Sequence, residues 1–186
     1  MSNARNVAVF VGSLRKESFS RKIANALIAM SPPALKLEIV EIGHLPLYNQ
    51  DLEADPPQVV REFKQKLETF EAVLFVTPEY NRGVPGSLKN AIDVGSRPYG
   101  KSSWSGKPGA VISNSPGAIG GYGANHALRQ SLVFLNVPAM AQPEAYIGGV
   151  AGMFDAKGAL TNDPMREFLQ KFLAAFAQWV ERNTAK

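Results

Sequence analysis

The chain has 186 residues, of which 45% are hydrophobic and 19% charged, a balance that buries one core and excludes a disordered or collagenous polypeptide. With no cysteine, it has no disulfide, no thiolate metal site and no cysteine nucleophile. A net charge of +4 favours anionic ligands, without the dense basic run of a nucleic-acid binder.

In chain order, Met1 to Asn6 lead straight into a core segment rather than into a basic start and an apolar leader. The expectation is a cytoplasmic protein, and runs such as Val7–Val11 and Val73–Val76 are too short to span a membrane. Val7–Val11, ending at Gly12, reads as a first strand buried on both faces. From Ser20, Ile23, Ala24, Leu27, Ile28 and Met30 recur at helical spacing until Pro32 and Pro33. Leu35–Ile42 alternates apolar residues with Lys36, Glu38 and Glu41, the pattern of a second strand. Val59, Phe63, Leu67 and Phe70 mark one face of a second helix ahead of a third strand, Ala72–Val76. A third helix follows over Leu88–Val94, a fourth strand over Gly109–Ser113, a fourth helix over Asn125–Leu135 and a fifth strand over Ala139–Ile147. Asp163 and Pro164 then read as the cap and first turn of a long helix with an apolar face of Phe168, Phe172, Phe176, Trp179 and Val180.

Strands alternating with helices predict an α/β fold in one domain over residues 1–186: a five-stranded parallel sheet, covered by helices on both faces because parallel neighbours need right-handed crossovers. For order 2-1-3-4-5, ligands sit beyond the carboxyl ends of strands one, three and four. The first of those loops, Gly12–Ser20, opens a helix whose free N–H groups attract an anion. Hydroxyls of Ser13, Ser18 and Ser20 and the guanidinium of Arg15 add to the attraction, while a plain capping role for Ser18 or Ser20 is the alternative. The loop lacks the three spaced glycines of a dinucleotide fingerprint and the Gly-Lys-Ser/Thr ending of a Walker loop, so a terminal phosphate suits it better than a pyrophosphate.

Gly12-Ser-Leu-Arg15, Thr77-Pro-Glu-Tyr-Asn81 and Pro85-Gly-Ser-Leu-Lys-Asn-Ala-Ile-Asp93 resemble the NADPH-dependent FMN reductase family, most closely its chromate and quinone reductase branch. Gly106-Lys-Pro108 and Ile147-Gly-Gly149 extend the similarity over nearly the whole chain. The resemblance implies a flavodoxin-like three-layer sandwich, a homodimer or homotetramer, and bound FMN that carries electrons from NADPH or NADH to a small acceptor such as a quinone or chromate. It implies cofactor contacts from Ser13, Arg15, Ser18, Phe19 and Ser20 at the phosphate end. Around the ring it implies Pro78, Glu79, Tyr80, Asn81, Ser115 and Gly117, with Glu79 alternatively a solvated or capping carboxylate. Arg82, Arg97 and Lys101 are candidates for steering anionic substrates, the last two on a segment, Ser96–Ser105, that reads as a mobile cover. Arg82 and Ser20 depart from the residues common in the family. His44 and His126 have no partner at ligand spacing, so no metal is expected. The same architecture in a receiver domain would need acidic residues where Gly12, Ser13 and Thr77 stand. A flavodoxin-type electron carrier and a non-catalytic FMN-binding module are the alternatives.

Overall fold

The computed structural model describes residues 4–184, so the first residues of the leading segment, Met1–Asn3, lie outside it. Five strands, β1 (Arg5–Val11), β2 (Leu35–Ile39), β3 (Ala72–Pro78), β4 (Gly109–Asn114) and β5 (Ala145–Ile147), form one parallel sheet of order β2-β1-β3-β4-β5. The helices between and after them are α1 (Phe19–Ala29), α2 (Gln58–Glu68), α3 (Gly86–Ser96), α4 (Tyr122–Phe134) and α5 (Asp163–Thr184). This is the flavodoxin-like sandwich that the alternating pattern predicts. Among the described residues no helix is long and apolar enough to cross a membrane.

Because side chains alternate along a strand, each central strand feeds two cores. Val7, Val9 and Val11 of β1, with Leu74 and Val76 of β3, face α1 and the long α5, whose Phe172, Phe176 and Val180 are buried there. Ala8, Phe10, Val73 and Phe75 face α2, α3 and α4. The second core contains Trp104, fully buried against Phe10 at a ring-centroid distance of 5.1 Å, with its indole N–H donating to the Ile92 carbonyl at 2.9 Å. Of the segment Ser96–Ser105, expected as a mobile cover, the indole anchors the far end in the interior, while Tyr99, Gly100 and Lys101 are exposed.

Three further boundaries differ from expectation. β5 spans only Ala145–Ile147, with an isolated bridge between Gly109 and Ala139, because Pro138 and Pro143 lack the N–H groups that a continuous ladder requires. β2 stops at Ile39, although Val40 still donates to the Val9 carbonyl and both Val40 and Ile42 are buried in the second core. The cap of α5 is Asn162, whose side-chain oxygen accepts from the Met165 N–H at 2.9 Å, with Asp163 the first helical residue.

Candidate active site

The carboxyl ends of β1, β3 and β4 lie side by side, since these strands are neighbours in one parallel sheet, so the loops after them share the edge where sheets of this order carry their ligand crevice. The ends of β1 and β3 approach closely at Gly12, where a Cβ would lie 2.6 Å from Thr77 Oγ1. Beyond it, Ser13 and Ser18 are buried while Leu14 and Arg15 are exposed. Ser18 caps α1, its oxygen accepting from the Arg21 N–H at 3.2 Å, and no acidic residue occupies the first turn to compete with an incoming anion. Phe19 packs its ring against the first core, which leaves its backbone N–H among the free donors at the start of α1.

The second loop reverses through Asn81 and Arg82, both left-handed at φ 51° and 65°, between paired backbone hydrogen bonds of Tyr80 and Gly83. Tyr80 stands 44% exposed, and its hydroxyl donates to Ser13 Oγ at 3.3 Å, tying the second loop to the first. Glu79 points the other way: one oxygen accepts from the Ala124 N–H at 3.0 Å and the other pairs with Arg82 at 3.3 Å. Its carboxylate caps the N-terminus of α4, and so its side chain positions the loop. Arg82 is 76% exposed beside it. In the third loop Ser115 Oγ accepts from the Gly117 N–H at 3.1 Å, and the Ser115 N–H donates to the Ile147 carbonyl at 2.9 Å, holding the exposed Pro116–Ile119 stretch against β5.

One residue of this machinery escaped the sequence reading. Asn114, 2% exposed at the end of β4, donates to Ser20 Oγ at 2.8 Å and to the Thr77 carbonyl at 3.1 Å, joining the ends of β3 and β4 to the first turn of α1. Ser20 is thus engaged beneath the first loop. The available signal was a polar residue closing an otherwise apolar strand. Asn114→Ala is expected to lower stability by about 1–3 kcal/mol, the cost of leaving buried polar partners unsatisfied, measurable by urea denaturation.

Arg97 and Lys101 are not at this crevice. The helix α3 begins at the carboxyl edge and runs back along the sheet, so its 11 residues carry Arg97 roughly 15 Å away. There the Arg97 Nε donates to Glu53 Oε1 at 2.7 Å, as does the Tyr48 hydroxyl at 2.7 Å. Hydrogen bonds from Tyr48 and then from Arg97 hold the Glu53 carboxyl below its ordinary range. Of the three candidate steering cations, the structure leaves Arg82 beside the crevice.

Flanking the third loop, Tyr122, His126 and Tyr146 cluster, with His126 Nε2 and the Tyr146 hydroxyl 2.9 Å apart. Burial, reinforced by Glu144, pushes the Tyr146 phenol up to about 12. This lies above the ordinary value of about 10, so the folded chain holds that proton more tightly than the unfolded one. Stability supplied by the neutral phenol is present below pH 10 and is lost as the pH rises from about 10 to 12. Alkaline titration of phenolate absorbance is expected to show a late step near 12 that Tyr146→Phe removes.

Arg15, the open start of α1, the half-exposed Tyr80 and the backbone of two glycine-bearing loops suit a ligand with a phosphate at one end and a flat ring at the other. Fold and crevice together define a flavodoxin-like flavin nucleotide protein. Residues 5–152 match the family described as NADPH-dependent FMN reductase, and the chain belongs to that family. It is 63% identical over 186 residues to a quinone reductase of Pseudomonas putida, covering 100% of both chains. A 2-hydroxy-1,4-benzoquinone reductase of a Burkholderia species is 46% identical over 177 residues, covering 95% of this chain and 97% of its own. Among solved structures, the flavoenzyme NAD(P)H:(acceptor) oxidoreductase FerB of Paracoccus denitrificans superposes with a TM-score of 0.90 at 45% identity, over 97% of this chain and 99% of its own.

Proposed function

We infer that the whole chain acts as one FMN-dependent NAD(P)H oxidoreductase unit whose acceptors are small quinone-type molecules. The observation that carries this reading is the convergence of the three loops on one open crevice with an anion cradle at its α1 end. The activity of the quinone reductase and FerB relatives supports it. When bound there, FMN would supply the two-electron redox chemistry that links NAD(P)H to the acceptor.

The chain's own residues bind and orient. Arg15, Ser13 and the first N–H groups of α1 hold the phosphate. The backbone of Pro78–Asn81, the Asn81 amide and the backbone about Ser115 and Gly117 meet the polar edge of the ring, while Tyr80 shields it from water. Glu79 and Asn114 keep these loops in register through the Ala124, Ser20 and Thr77 contacts. Donor and acceptor enter the same open side in turn, which gives ping-pong kinetics. Arg82 raises the local concentration of anions, NADPH and chromate included, in a salt-sensitive way. The reading extends to a cytoplasmic homodimer or homotetramer with Tyr80, Tyr122 and the loop from Leu45 to Asp51 near a subunit boundary, testable by sedimentation.

Anaerobic stopped flow tests the central reading. NADPH or NADH is expected to bleach the flavin absorbance of the FMN-loaded protein, and a quinone added second to restore it. A flavin that neither nucleotide bleaches would refute the oxidoreductase assignment and leave a binding module.

A further inference from the structure

A further cavity lies away from the crevice. It has a volume of about 370 Å³ and opens to solvent between the 46–57 loop, α2 and the end of α3. We propose that it is a second ligand site, specific for a small amphipathic carboxylate. Its volume falls within the range of small-molecule sites, about 300–1,000 Å³. The body of the cavity is apolar, with walls formed by Leu52, Pro57, Val60, Val94 and Pro98.

Its charged lining selects the anion. Four cations, Arg61, Lys64, Arg97 and Lys101, line the space together with the carboxylates of Glu53 and Glu68. Arg61 is committed to Asp55 at 3.1 Å, and Lys64 to the backbone carbonyls of Arg97 and Lys101. Glu53 accepts from Tyr48 and from Arg97, both on Oε1, and Glu68 stands near Lys64 and Lys107. Arg97 spends only its Nε on Glu53, so among the described residues its two terminal nitrogens have no acceptor, and Lys101 has no ion pair. The guanidinium is pinned in place by Glu53 and lies 5.7 Å from the Tyr48 ring centroid. A planar two-nitrogen fork held at the wall of an apolar cavity matches a carboxylate bidentately, while the ligand's hydrocarbon fills the space behind it.

Calorimetry on the FMN-loaded full chain tests this with 1-naphthoate and its neutral counterpart, naphthalene-1-carboxamide. One naphthoate is expected to bind per chain, and the carboxamide about tenfold more weakly or worse, as suits a charge-assisted contact. The double variant R97Q/K101Q should reduce naphthoate to the carboxamide's affinity, and Val60→Trp, which fills the cavity, should abolish both. Flavin absorbance and its bleaching by NADPH should be unchanged in the double variant, separating this site from the crevice. Binding that survives Val60→Trp, naphthoate that competes with NADPH, or no binding at millimolar ligand would each overturn the proposal. So would naphthoate failing to bind while Val60→Trp sediments as a smaller species than the parent, since the cavity would then seat a second copy of the chain.

Discussion

Replacing Gly120 by alanine should destabilise the protein by about 2–5 kcal/mol, summing the left-handed backbone penalty and the cost of overpacking. The residue sits at φ 65°, and a Cβ there would lie 2.5 Å from the Tyr146 carbonyl carbon, 2.7 Å from its oxygen and 2.8 Å from the Ile147 nitrogen. All three atoms belong to the backbone of β5, so no side-chain rotation relieves the contact and the third loop must lift from the strand. For a chain of this size the expected fall in Tm is about 4–20 °C. FMN affinity should weaken with it, because Ser115 and Gly117 lie on the displaced segment. Scanning calorimetry and flavin titration check both effects, and a variant that melts with the parent would show that the loop accommodates the methyl.

Arg15→Ala should weaken FMN binding by about tenfold to over a hundredfold while leaving riboflavin binding nearly unchanged. The guanidinium is exposed, has no ion-pair partner among the described residues, and stands in the loop that opens α1. A phosphate therefore gains its hydrogen bonds without displacing a carboxylate. The contact is partly screened, so the difference between parent and variant should shrink as salt is added. Equal losses for FMN and riboflavin would show that Arg15 acts on loop structure rather than on the phosphate.

Much of the architecture was legible because its causes are local. Apolar runs such as Val7–Val11 and Ala72–Val76 have no polar face to expose, so they must be central parallel strands, and right-handed crossovers then restrict their order. The same reasoning gathered the candidate site residues, since a parallel sheet places the loops after β1, β3 and β4 at one edge. Ser18 as a cap, Arg15 as an exposed cation and Glu79 in its alternative role as a capping carboxylate follow from position within a loop.

What composition, periodicity and motif spacing determined by themselves was therefore the order of the elements and the edge expected to carry a ligand, while the resemblance of the loop motifs supplied the family. Only the tertiary structure decided which side chains meet across long separations. Asn114 reaches a serine 94 residues earlier, Trp104 is withdrawn into the core, and Arg97 finds Glu53, 44 residues earlier, at the far end of α3. Periodicity reports which face of an element is buried. The direction in which a helix carries its last residues, and the carboxylate or ring waiting there, depends on the packing of elements distant in the chain.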